Sequence, residues 1–342
     1  MKSVLSAHLV AALGVGAFYL LSLPLPWLLG PIIACLIAAL LGMPMRGMPV
    51  VNNLMRTILG VAVGATFTWA LVAAMAQMWT TLILVPLMVA AIGLVGVPYF
   101  QRLCGFDFAT SYYGAMPGGL QDMLLFGEEA GGDVRALSLI HATRVMVVVV
   151  ALPFILNGYW GVDLSNPPGL PVADLPLGQL MLMLVCGVVG WRVAKAIGLF
   201  GASILGPMIL SAVLALTGTL QFRPPAEAIW MAQFFIGMTV GTKYAGVTGP
   251  EVRRVVTAAL GFCVILLILS GLFVEAIHLL NLAPPMETLL AFAPGGQAEM
   301  TVLALIAGAD MAFVIAHHVL RIVVVILGAP LAARLFSPRP QG

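Results

Sequence analysis

The sequence predicts an all-α integral membrane protein made of two inverted-topology repeats, with about 10 transmembrane helices plus two broken or re-entrant segments. Three observations predict it. The 342 residues are 62% hydrophobic and 8% charged, whereas soluble domains carry about 25% charged residues to cover a water-facing surface. The apolar residues form long continuous runs. The second half of the chain also repeats the first over its whole length.

The runs Leu5 to Leu23, Leu82 to Val97, Val145 to Leu156 and Phe262 to Phe273 are almost free of charge, and several approach the roughly 20 apolar residues that cross a bilayer. They are rich in Leu, Ala, Val and Met and broken only by Gly and Pro. A β-barrel would instead show short strands of alternating polarity. Spans are therefore helical. Lys2 followed by an apolar stretch resembles a signal peptide, but that stretch has a counterpart in mid-chain, so it reads as the first membrane segment.

Shifting the second half by 176 or 177 positions aligns three blocks. Leu29-Gly30-Pro31 meets Leu205-Gly206-Pro207, and Gly42 meets Gly218. Gly60 and Gly64 meet Gly237 and Gly241. Pro117-Gly118-Gly119-x-x-Asp122-Met123 meets Pro294-Gly295-Gly296-x-x-Glu299-Met300, followed by Asp133, His141 and Arg144 on Asp310, His318 and Arg321. From Pro117 to Arg144, nine of 28 positions are identical without a gap.

This divides the chain into a first repeat at 1–157, a polar, Pro-rich link at 158–176 and a second repeat at 177–342. The first repeat holds apolar segments at 4–23, 27–42, 53–75, 80–100, 106–127 and 134–157. The second holds them at 177–197, 203–218, 228–246, 253–281, 286–307 and 311–335.

Orientation follows from Lys and Arg, which gather in short cytoplasmic loops. In the first repeat Lys2, Arg46 and Arg102 mark the N-terminus and the loops after segments two and four. In the second, Arg192/Lys195 and Lys243/Arg253/Arg254 mark the loops after the first and third segments. The bias changes phase, as two units of opposite topology require. Each unit then has an odd number of crossings, which follows if segments 106–127 and 286–307 enter and leave on one side. Both termini fall in the cytoplasm of a bacterial inner membrane, in agreement with Arg334 and Arg339, while Arg223 stands alone on an outside loop.

The candidate substrate-binding or ion-coupling residues are Pro117, Gly118, Gly119, Asp122, His141 and Arg144 with Pro294, Gly295, Gly296, Glu299, His318 and Arg321. A Pro-Gly-Gly break frees backbone groups and presents the following half-helix N-terminus, a positive dipole end, to a ligand. Asp122 and Glu299 fall on the first turn after each break. Two roles fit them, a helix cap or a ligand to a coupling cation. Asp133 and Asp310 open the sixth segments as N-caps.

His141 and Arg144 share a helix face, as do His318 and Arg321, inside apolar runs where charge is costly and marks a pathway or a pair. In one reading the arginines bind an anionic group while the histidines titrate near neutral pH. In the other, buried Asp122–Arg144 and Glu299–Arg321 pairs lock the fold. His317 has no counterpart in the first repeat. The glycines at 60, 64, 237 and 241 have the spacing of close helix packing, and Leu-Gly-Pro in each second segment reads as a kink or half-helix start.

The motifs Pro-Trp-Leu-Leu-Gly-Pro (26–31), Pro-Gly-Gly-Leu-Gln-Asp-Met (117–123) and Pro-Gly-Gly-Gln-Ala-Glu-Met (294–300), with the later His and Arg, resemble the bacterial AbrB-type membrane proteins over nearly the whole chain. That family is characterised by a membrane AbrB duplication and is distinct from soluble DNA-binding regulators of similar name. The resemblance implies a role in regulation of gene expression, or, by another description of the family, ammonia oxidation. The residues fit oxidation poorly. Histidines at 8, 141, 278, 317 and 318 make no compact metal motif, and adjacent His317 and His318 point to different helix faces.

The sequence thus reads as no enzyme, with no cofactor and no metal. Cys35, Cys104, Cys186 and Cys263 are isolated packing residues. A net charge of +2 with no basic cluster larger than Arg253–Arg254 excludes a direct nucleic-acid surface. The expected partners are the lipid bilayer and a small-molecule solute, with homo-oligomerisation left open. The leading reading is a secondary transporter of a small anionic or zwitterionic solute by alternating access. The alternative is a membrane protein that regulates gene expression through a partner or through solute levels.

Overall fold

The structure, a computed structural model, describes residues 2–69, 72–73, 78–164, 167–199 and 201–336. Parts of segment 53–75 and of the link, Arg339, and the side chains of Lys2 and Arg334 lie outside the described residues. Fourteen helices are named here in chain order. They are α1 Lys2–Leu20, α2 Pro26–Leu40, α3 Pro49–Gly64, α4 Trp79–Leu103, α5 Phe108–Ala115, α6 Leu120–Glu129 and α7 Val134–Trp160. There follow α8 Leu177–Ala196, α9 Ala202–Leu216, α10 Ala226–Gly241, α11 Gly249–Leu279, α12 Pro285–Phe292, α13 Gln297–Ala307 and α14 Met311–Phe336. No strand occurs among the described residues.

Six of these helices are long and apolar enough to cross a membrane: Ser3–Leu20 within α1, then α4, α7, α8, α11 and Met311–Ala333 within α14. At 1.5 Å per residue, about 20 residues cover the roughly 30 Å hydrocarbon layer. Helices α2, α9 and α13 are apolar but shorter. Each of the two segments containing Pro-Gly-Gly is two helices, α5 and α6 or α12 and α13, separated by four non-helical residues at 116–119 and 293–296.

The chain forms two compact units, each drawing on both halves of the sequence. The first contains Met1–Gln77, Val149–Gly246 and Gln297–Ala312. Within it α1 packs on α2, α8 on α9, α3 on α9 and α10 on α2. Lipid tails are as apolar as the side chains, so these helices hold together by close packing more than by water expulsion. Glycine provides it. A Cβ placed on Gly14 would lie 2.3 Å from the Gly30 carbonyl oxygen, and one on Gly206 would lie 2.2 Å from that of Gly190. Gly60 meets the Ile204 carbonyl at 2.3 Å and Gly237 that of Leu28 at 2.4 Å by the same measure.

Packing is thus the role of the glycines at 60 and 237, as their spacing predicts. The reading of Leu-Gly-Pro as a half-helix start is corrected: α2 and α9 begin four residues before Gly30 and Gly206, and these glycines are helix contact points.

The second unit contains Met78–Val148, Val247–Gly296 and Phe313–Gly342. Within it α4 packs on α5 and α11, α11 on α12, and α5 on α6. Helices α5 and α6 form a hairpin. The backbone N–H of Asp133, just beyond α6, donates to Thr110 Oγ1 at 2.8 Å near the start of α5, and Tyr113 meets Phe126 with ring centroids 6.3 Å apart. Segment 106–127 therefore turns back on itself at Pro-Gly-Gly. Asp107 caps α5 by accepting from the Thr110 N–H at 2.8 Å, and Asp133 caps α7 by accepting from the N–H groups of Arg135 and Ala136, each at 3.0 Å.

Candidate functional site

A helix that stops inside a buried environment leaves its last carbonyls without intrahelical partners. Here an arginine from a neighbouring helix supplies them. Arg144 of α7 donates from Nη1 to the Met116 carbonyl at 2.9 Å and from Nη2 to the Gly118 carbonyl at 3.0 Å. His141, one turn earlier, bonds through Nε2 to the Tyr113 carbonyl at 3.1 Å. The cation thus sits at the C-terminal end of α5, where the helix dipole is negative.

The same bonds recur 177 positions later. Arg321 of α14 donates to the Ala293 and Gly295 carbonyls, both at 2.9 Å, and His318 Nε2 bonds to the Leu290 carbonyl at 2.9 Å. A carbonyl only accepts, so Nε2 of both histidines carries hydrogen. The Nδ1 of His318 is buried and has no hydrogen-bond partner.

Both arginines are almost completely buried, at 2% exposure, and each Nε lacks a hydrogen-bond partner. Neither has a carboxylate partner among the described residues. The alternative of buried Asp122–Arg144 and Glu299–Arg321 pairs is therefore corrected: backbone carbonyls take the place of both carboxylates. Asp122 is half-buried on the first turn of α6, and Glu299 is buried on the first turn of α13. Within the second unit this leaves two buried positive charges with spare N–H donors, each bonded to the carbonyls at the end of an interrupted helix, α5 or α12.

The remaining candidates divide clearly. Pro117, Gly118, Pro294 and Gly295 are buried, and Gly119 and Gly296 are partly so. Gly118 packs tightly, since a Cβ there would lie 2.8 Å from both Met123 and Val325. His317, set aside in the sequence, is wholly buried and bonds to the Phe313 carbonyl at 2.7 Å and Thr81 Oγ1 at 3.0 Å. Its carbonyl partner places a hydrogen on Nδ1. Arg223, the dissenter in orientation, lines a cavity of about 200 Å³ together with Asp310 and Thr66.

Among the described residues no three His, Cys, Asp or Glu side chains group in a way that could hold a metal ion. Cys35, Cys186 and Cys263 are buried free thiols.

Comparison with known proteins places these features in a family. The sequence model described as "Transition state regulatory protein AbrB" matches residues 27–337. The chain belongs to the AbrB family. It is 24% identical over 322 residues to the Escherichia coli (strain K12) protein named "Putative regulator AbrB", covering 94% of this chain and 92% of that one. It is 25% identical over 295 residues to the Bacillus subtilis (strain 168) protein named "Uncharacterized protein YhjN", covering 81% of this chain and 76% of that one. The AbrB-family match spans both Pro-Gly-Gly breaks and both arginines, and the long apolar helices make the chain a multi-pass helical membrane protein.

Proposed function

We propose that the chain is a secondary transporter of a small anionic or zwitterionic solute, and not an enzyme, in the bacterial inner membrane with both termini cytoplasmic. The observation that carries the reading is the pair of buried guanidinium groups, Arg144 and Arg321, each holding a Pro-Gly-Gly break and neither neutralised by a carboxylate. An uncompensated buried charge is costly. An anionic group arriving between interrupted helices would offset that cost using the remaining N–H donors and the positive N-terminus of α6.

The recurrence of contacts at offsets of 176 and 177 supports an internal duplication, and the phase change in Lys and Arg supports opposite topologies. In this reading each repeat crosses five times, with the α5–α6 hairpin re-entrant, and the two repeats exchange access to the solute. Asp122, Glu299, His141 and His318 are the candidate proton or cation carriers. The unpartnered His318 Nδ1 is an acceptor that a coupled proton could use.

The test begins with the purified chain in detergent. Small carboxylates, sulfonates, phosphonates and amino acids are screened across pH for a rise in melting temperature, since ligands of the native state stabilise it. A hit is then followed as flux in proteoliposomes. Arg144→Gln and Arg321→Gln should abolish the flux while the protein remains folded; unchanged flux overturns the site.

A second reading is favoured by the family's description and by the word regulator in the name of the Escherichia coli relative. Regulation would then act through a partner protein or through solute levels. Holding the solute equal across the membrane separates the two: a regulatory phenotype that persists is independent of transport.

A further inference from the structure

The first unit holds a cavity of about 460 Å³ whose chemistry is opposite to that of the arginine site. Its walls come from the α1–α2 turn, the first turns of α10, and the end of α7 with the link that follows. Three aromatic rings line it: Tyr19, Trp27 and Trp230. Trp27 and Trp230 are nearly parallel, at 16° with centroids 6.1 Å apart. Tyr19 stands edge-on to Trp27 at 83° and its hydroxyl accepts from the Trp27 indole N–H at 2.8 Å. That bond fixes the indole plane.

The polar lining is sparse and specific. Asp163 is the only ionisable acid or base among the lining residues other than Tyr19. Asn157 steadies the link by donating to the Val162 carbonyl at 3.1 Å. Gln233 is 1% exposed, and its Nε2 has no hydrogen-bond partner. An unpaired buried amide costs about 1–3 kcal/mol, so a wall that contains one is incomplete without an acceptor. Interfacial Trp and Tyr often serve only as anchors at the lipid surface. Anchoring explains neither a buried, unpartnered amide nor a carboxylate on the same cavity.

We propose that this cavity is a binding site for an organic ammonium group with a hydrogen-bond acceptor a few bonds away. The aromatic faces attract the cation through their negative quadrupole, Asp163 supplies the counter-charge, and the Gln233 amide donates to the neighbouring acceptor. The site is independent of the proposed transport of an anion. The same ammonium chemistry is carried by free amines and by ethanolamine or choline lipid headgroups.

The experiment titrates the full chain with choline and with its neutral isostere 3,3-dimethylbutan-1-ol, reading calorimetric binding and melting temperature. One arm uses lipid-free detergent. The other uses nanodiscs of phosphatidylethanolamine or of phosphatidylglycerol. Choline should bind at least tenfold more tightly than the isostere, and the difference should disappear in Asp163→Asn and in Trp230→Leu, each first shown to melt at the parental temperature without choline.

Binding that survives in both nanodiscs assigns the site to a free ammonium solute. Binding in detergent and phosphatidylglycerol that is lost in phosphatidylethanolamine assigns it to the lipid headgroup. Equal binding of choline and the isostere, absence of choline binding in detergent, or an unaltered preference in Asp163→Asn overturns the proposal.

Discussion

Arg144 donates to the carbonyl of Met116 at 2.9 Å, closing the end of a helix that Pro117 stops from continuing. Its second bond, to Gly118, spans the break. Arg144→Gln keeps one donor group but neither the charge nor the fork, so one of the two carbonyls loses its partner. A buried unsatisfied group costs about 1–3 kcal/mol. Thermal unfolding in detergent should show Arg144→Gln melting below the parent, and Arg321→Gln should lose a similar amount because its two bonds are equivalent. Arg144→Lys, with a point charge instead of a planar fork, should fall between. A parental melting temperature in Arg144→Gln would show that the bracket does not hold the break.

Close approach at glycine makes a sharper contrast. At Gly60 an added Cβ meets the Ile204 backbone at 2.3 Å, whereas at Gly16 nothing lies within 4 Å. Gly60→Ala must push α3 from α9, and overpacking of this kind costs about 1–3 kcal/mol. Gly16→Ala should be neutral or slightly stabilising, since Ala favours helix over Gly by up to about 1 kcal/mol. Parallel melting curves of the two variants check this, and equal curves would remove the glycine contact as a stabilising feature.

Glu251 accepts from both Nε and Nη2 of Arg135 and also closes a capping box with Thr248 at 2.8 Å to its N–H and 2.6 Å to its hydroxyl. Exposed ion pairs contribute little and are screened by salt. Arg135→Ala should therefore have a small effect that shrinks as salt is raised, while Glu251→Ala, which also loses the cap, should keep an effect at high salt. The difference between the two variants across a salt series is the measurement. Identical salt responses would mean that the cap contributes nothing beyond the pair.

Much of this was legible in residue order, and the failures have physical reasons. The Pro-Gly-Gly breaks, the caps at Asp133 and the glycine contacts follow from local backbone chemistry, which a sequence displays directly. Arg144 and Arg321 were readable as costly charges, but their partners are carbonyl groups. Every residue carries a carbonyl, so no side-chain identity points to Met116 or Ala293, and a nearby carboxylate was the partner that residue types offered.

The reversal of 106–127 was legible only through the phase of Lys and Arg along the chain, because a broken helix looks the same in local sequence whether it bends or folds back. The Tyr19, Trp27, Trp230 and Gln233 cavity escaped notice for a related reason. Its walls lie on elements far apart in the chain, and no motif joins them. Thr248-x-x-Glu251, by contrast, was a readable capping box that the long apolar runs obscured.

The α5–α6 hairpin depends on Thr110, which works at both of its ends. Its hydroxyl donates to Asp107 Oδ2 at 2.6 Å and accepts from the Asp133 N–H at 2.8 Å, so it links the cap of α5 to the entry of α7. Thr110→Val keeps the shape but removes both bonds and leaves the Asp133 N–H unpaired. Asp133→Ala removes the α7 cap, at a typical cost of about 1 kcal/mol. Both changes loosen the same junction, so the double variant should lose less than the sum of the singles, with a coupling of about 0.5 kcal/mol or more. Hydrogen exchange of the first turn of α7 should accelerate in each single variant. Additive losses in stability, with exchange altered only in Asp133→Ala, would mean that Thr110 serves α5 alone and that the hairpin closes by packing of Tyr113 on Phe126.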